Sequence, residues 1–97
     1  MTVLEVAVLP LRPGTAADFE VAFTEARPLI EATPGFEGLE LKRCVEKPDQ
    51  YLLLVRWATL EAHTEGFRGS DRYPRWRELL HHFYDPFPVV DHYETVA

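Results

Sequence analysis

Four histidines, four tyrosines and two tryptophans carry most of the chemistry that this 97-residue chain can offer. Histidine is the side chain whose ordinary pKa lies near neutrality, so it is the natural proton acceptor at pH 7. His63 is the first candidate, because Leu60 at i−3 and Phe67 at i+4 put it on the inner stripe of a short helix. His92, close to the C-terminal end, is the second. Tyr73 and Trp76 can hydrogen-bond to a planar ligand or stack on it, Phe67 adds a ring, and Trp57 at a strand end can form a wall. Arg56 could steady an anion if its face turned inward, but strand alternation separates it from Trp57.

Each candidate has a plainer alternative. His63 can be a half-buried histidine bonded to a backbone carbonyl. Trp76, Leu80 and Phe83 fit a helical core stripe, and His92 can face a subunit interface instead of a pocket. His81 and His82 read as a solvated helix end, where positive charge suits the macrodipole. Cys44 reads as a small strand residue. Ser/His/Asp order, a glycine-rich phosphate loop and zinc spacing are all missing.

The elements that must position these residues follow from periodicity. Val3 to Leu11 is rich in β-branched residues, interrupted only by Glu5, and reads as a strand covered on both faces. Thr15 to Asp18 resembles a capping box, with Asp in place of Glu. The helix behind it sets Phe19, Ala22, Phe23, Ala26 and Ile30 on one face, bends at Pro28 and ends at Pro34-Gly35. Phe36 to Val45 and Tyr51 to Ala58 read as a hairpin around the turn Lys47 to Gln50, with Leu39, Leu41 and Val45 on the drier face of the first strand. A short helix from Leu60 to about Arg68 precedes another from about Asp71 to Phe83, capped by Ser70 or Asp71. Val89 to Val96 is the last strand.

This order, β-α-β-β-α-β, is the ferredoxin-like pattern in one α+β domain over residues 1–97: a four-stranded antiparallel sheet with its helices on one face. Strands one and three are too apolar to leave the other face wet. A homodimer with two sheets face to face is therefore expected. The formal net charge of −6 argues against nucleic acid. Arg68, Arg72, Arg75 and Arg77 are interleaved with acids and read as a solvated helix face. The single Cys excludes an intrachain disulfide. A signal peptide and a membrane span are both missing from the pattern, which leaves the cytoplasm as the expected location.

Three stretches add a resemblance: Trp57-Ala-Thr-Leu-Glu-Ala-His63 with Ser70-Asp71-Arg-Tyr73-Pro-Arg-Trp76, then Pro86-Phe-Pro88 running into Val90-Asp-His-Tyr93, and Pro34-Gly35-Phe36. Together they resemble the antibiotic biosynthesis monooxygenase family, whose fold is the dimeric α/β-barrel form of the ferredoxin-like sheet. The resemblance covers nearly the whole chain and specifies fold better than chemistry. It implies one of several activities. The haem-degrading branch uses an Asn, a Trp and a His, which fall here at Ala7, at Gly66 or Phe67, and near Arg77. None matches, so haem degradation is the least favoured reading. The cofactor-independent branch places a polar residue, an aromatic and a tyrosine where this chain has His63, Phe67 and Tyr73. Phe67 departs from the usual Trp or His there and cannot donate a hydrogen bond.

The implied function is oxidation of a quinol or polycyclic phenol by molecular oxygen with no cofactor and no metal, His63 and Tyr73 being catalytic. Phe67, Trp57, Trp76 and His92 would then bind the substrate. The alternative is a dimeric module that holds a small aromatic ligand without turning it over.

Overall fold

The computed structural model describes residues 2–97. Four strands, β1 (Val3–Pro10), β2 (Phe36–Arg43), β3 (Gln50–Trp57) and β4 (Val90–Tyr93), form an antiparallel sheet in the order β2-β3-β1-β4. Helix α1 (Ala16–Glu31) follows β1. A π-helical turn (Ala62–Phe67), helix α2 (Tyr73–Leu80) and a 3₁₀ turn (His81–Phe83) lie between β3 and β4. This is the ferredoxin-like α+β arrangement.

Strand alternation sorts the side chains. Glu5, Ala7 and Leu9 of β1 and Tyr51, Leu53, Val55 and Trp57 of β3 are buried on the helix side. Leu4, Val6 and Val8, with Leu52, Leu54 and Arg56, take the other side, and no helix among the described residues covers that face. Antiparallel register sets Glu5 opposite Val55 on β3 and opposite His92 on β4. Val3 pairs with Trp57. The helices close the core: Phe19 of α1 is fully buried and meets the rings of Phe23, Tyr51, Phe83 and Tyr84. The stripe Phe19, Phe23, Ala26 and Ile30 is buried as its spacing predicts, and so are Trp76, Leu80 and Phe83.

Several local expectations are corrected. The capping box does not close: the Thr15 hydroxyl turns back and donates to the Arg12 carbonyl at 2.7 Å. Ser70 likewise donates to the Phe67 carbonyl instead of capping α2, which starts at Tyr73 with Pro74 in its first turn. Strand β1 ends one residue early, at Pro10. Strand β2 stops at Arg43, and Val45 is 90% exposed beyond the last paired residue. Strand β4 is four residues long because only Leu4 to Ala7 of β1 offer it a ladder.

The arginines do not form one solvated face. Arg72 is half-buried and donates to the Leu29 carbonyl at 3.1 Å and the Thr33 hydroxyl at 3.0 Å. It clamps α2 to the C-terminal end of α1, where a cation also suits the helix dipole. Arg75 pairs with Glu25 and Glu78.

Gly35 steers the chain from α1 into β2. Its φ of +92° is a left-handed conformation, and a Cβ there would stand 2.7 Å from that of Ala62. The close approach seats the π-turn against the α1-β2 connection.

Candidate active site

Glu5 is the one acid in an otherwise apolar strand, and alternation sends it inward. The neighbouring strand brings Trp57 alongside, and its indole N–H donates to Glu5 Oε1 at 2.9 Å. His63 comes from the π-turn. Its ring stacks on Trp57 with centroids 5.3 Å apart and planes 16° apart, and its Nε2 lies 3.4 Å from Glu5 Oε1. On its far side, His63 Nδ1 lies 2.7 Å from Nε2 of His92 on β4. Glu5, His63 and His92 thus form a continuous row, backed by Trp57.

The π-turn carries both His63 and Phe67 of this wall. Its wider coil bonds the Arg68 N–H to the His63 carbonyl, five residues back, at 3.1 Å. Residues four apart share a face in this coil as in an α-helix, and Phe67 also stacks on Trp57, at 6.3 Å and 30°. An α-helix over Leu60 to Arg68 was the expectation, and nothing in the spacing distinguishes the two coils.

A cavity of about 80 Å³ opens in front of this wall. Glu5, His63 and Arg68 give it a polar end, Phe67, Trp76 and Leu53 contribute apolar surface, and Tyr73, His81 and Tyr84 add polar rings. Phe87 lines it too and is 62% exposed.

Burial governs the charges. It raises the Glu5 carboxyl above the carboxylate range, against the opposing pull of the Trp57 hydrogen bond and of Arg68. It lowers the His63 imidazole to about 3, with Arg68 and His92 acting in the same direction, so His63 is neutral at pH 7. His92 is lowered by burial and by Arg68, against Asp91. His81 is lowered by burial and by Arg77. Tyr84 is raised by burial, with Tyr73 and Glu5 adding to it, and keeps its phenolic proton.

The structure therefore brings His63, Phe67, Tyr73 and Trp76 to one cavity. Trp57 stands behind His63, fully buried, and does not reach the cavity surface. His92 contacts His63 from the outer side and is likewise absent from the cavity lining. Arg56 faces the uncovered side of the sheet. His63 is bonded to side chains, not to a carbonyl. Sequence reasoning gave no site role to Glu5 or Tyr84. Glu5 had a usable signal, a lone carboxylate at an inward position of a buried strand. His81 was read as solvated, but the 3₁₀ turn folds it toward Phe87, with ring centroids 4.9 Å apart. Among the described residues, no three His, Cys, Asp or Glu side chains are placed to hold a metal ion. No helix among them is long and apolar enough to cross a membrane.

Residues 2–79 match the sequence model of the antibiotic biosynthesis monooxygenase family. A Bacillus subtilis (strain 168) relative, the uncharacterised protein YczJ, is 49% identical over 94 residues, spanning 97% of this chain and 99% of its own. A solved Bordetella bronchiseptica structure named for the same family is 35% identical, covers 99% of this chain and 98% of its own, and superposes with a TM-score of 0.93. SnoaB from Streptomyces nogalater, a cofactor-independent oxygenase solved as a mutant, shares the fold at 20% identity, with a TM-score of 0.75 over 99% of this chain and 92% of its own.

Proposed function

The chain belongs to the antibiotic biosynthesis monooxygenase family, and from that premise we propose that it oxidises a quinol or phenol with molecular oxygen and without a cofactor. One observation carries the reading: a neutral, buried His63 beside Glu5 forms the polar end of an aromatic-lined cavity. The oxygenase SnoaB, which has the same fold, supports the reaction class.

Direct reaction of triplet oxygen with a closed-shell molecule is spin-forbidden. Removing the hydroxyl proton makes the ring electron-rich enough to pass one electron to oxygen. The radical pair then joins at a ring carbon that carries hydrogen. The resulting peroxide takes a proton, and its O–O bond breaks. One oxygen stays as a ring carbonyl, and the other leaves as water with the two hydrogens. Substrate supplies all the electrons. The protein's tasks are proton transfer, orientation and exclusion of bulk water. Glu5 and His63 take and return the proton, Tyr73 steadies the substrate oxygen, and Phe67 and Trp76 hold the ring.

The uncovered sheet face is the proposed homodimer contact. Leu4, Val6, Leu52 and Leu54 are half-buried there, and Val8 and Tyr93 are exposed. A second copy would cover them.

Oxygen uptake by the metal-free protein tests the function, using a panel of quinols and phenols. Uptake above the spontaneous rate should fall by roughly 10²–10⁴ in His63→Ala. Full activity in that variant would remove His63 from the mechanism. One observation favours ligand holding without turnover: both ring nitrogens of His63 already face protein groups. Saturable binding with no uptake would establish that second reading.

A further inference from the structure

His92 has no place on the cavity wall, yet it touches the residue that does. Its Nε2 meets His63 Nδ1 at 2.7 Å, and the residue also lines a groove on the outside of the molecule with Val3, Leu60, Tyr93 and Glu94. Glu5 and His63 line the cavity on the inside. The row therefore runs from the cavity to the outer groove, with 3.4 Å between Glu5 and His63 and 2.7 Å between the two imidazoles. A buried base that only had to accept one proton would need no second imidazole behind it.

We infer that Glu5, His63 and His92 form a proton conduit, through which the cavity's base exchanges protons with solvent on the outer face of the molecule. The inference rests on the oxygenase reading for its purpose, though not for its test. The hops balance. A substrate hydroxyl gives its proton to the Glu5 carboxylate, which passes it to His63 Nε2. His63 releases its Nδ1 proton to His92 Nε2, and His92 releases its own Nδ1 proton to water in the groove. Both rings end as the opposite tautomer. Protonation of the peroxide draws one proton back along the same row and restores both. The cycle therefore resets without either ring turning over.

The groups facing the row include Trp57 from β3, Arg68 beyond the π-turn, Asp91 from β4 and Tyr84 past the 3₁₀ turn. Burial and Arg68 both disfavour a standing imidazolium at His63, so a proton moves through that ring instead of resting on it. His92 acts through His63 and is a positioning and relay residue, not a catalytic one.

The test uses the ligand-free protein with ¹⁵N-labelled histidine. NMR should show scalar coupling between the two rings across the shared proton. The exchange of that proton with water should quicken with imidazole buffer concentration. In His92→Gln, which keeps a polar side chain but cannot relay, exchange should slow at least ten-fold. In Phe87→Ala, which opens the cavity instead, it should not change. Exchange that ignores buffer in the wild type, or follows Phe87→Ala, would overturn the conduit, because the proton would then leave by the cavity. If a substrate is oxidised, His92→Gln should lower kcat about ten-fold with KM unchanged, and added imidazole should restore it. An unrestored loss equal in kcat and KM would mark His92 as merely structural. Absence of any oxidised substrate would sink the oxygenase reading and leave the exchange measurement to decide the conduit.

Discussion

His63 Nδ1 and His92 Nε2 lie 2.7 Å apart, joining the π-turn to the edge strand by a contact between two imidazoles. At that distance one proton is shared, and two imidazolium rings could not coexist. The pair is a titration-sensitive joint in the fold.

Acid stability should report this joint. His63 is lowered in the folded protein from 6.5 to about 3, so its contribution to stability is fully present above pH 6.5. It is lost as pH falls toward 3, because the unfolded chain binds a proton that the folded one refuses. His63→Gln should flatten the loss of stability between pH 6.5 and 4 by on the order of 2 kcal/mol in chemical denaturation. Glu5 has the opposite sign. Its folded pKa is raised above 4.5, so the folded protein gains stability as pH falls through that raised value. Glu5→Gln should therefore be relatively more stable at pH 8 and lose stability more steeply in acid. Parallel pH profiles for wild type and both variants would contradict the assignment.

The core prediction is independent of function. Phe19 is fully buried among four rings, so Phe19→Ala should cost about 3–5 kcal/mol in urea unfolding. A loss below about 1 kcal/mol would mean that the ring cluster is not tightly packed.

Assembly should depend on the uncovered face. Wild type should sediment at twice the 11.2 kDa chain mass, and Leu54→Glu should shift it to the single-chain mass. The carboxylate would be desolvated in the centre of the contact. A wild type that sediments as one chain at micromolar concentration would end the dimer proposal.

Ligand size should be set by Phe87. A cavity of about 80 Å³ falls short of the roughly 150 Å³ known to admit a benzene ring, so even a one-ring phenol must displace a lining side chain. Phe87 is the most exposed aromatic there. Phe87→Ala should tighten binding of two-ring phenols several-fold in calorimetry. Unchanged affinity across ring sizes would place the entrance elsewhere.

The fold was legible because its signals are periodic. Phe19, Phe23, Ala26 and Ile30 mark a helix face, and the apolar run Tyr51 to Val55 marks a strand, whatever surrounds them. The strand ends were less so, since Val45 and Val89 are as β-prone as their neighbours and differ only in having no partner to pair with. The site was half legible. His63, Phe67, Tyr73 and Trp76 lie close in sequence and meet at one cavity. Glu5 and Trp57 are brought to His63 by strand register, a relationship between distant segments that local spacing cannot express. His81 depends on a single 3₁₀ turn, and Arg72 on what happens to pack opposite it.

The wide coil at Ala62–Phe67 differs from an ordinary helix by the phase of one residue. Deleting a residue there would restore i→i+4 bonding and rotate one flank against the other by about 100°. The segment flanking the deletion would be re-phased against Trp57, although every side chain of the wall could still be present. Chain length in this one six-residue stretch therefore sets the register of the wall as much as composition does. Insertions and deletions there, more than substitutions, are the changes that would take the wall apart while leaving its composition intact.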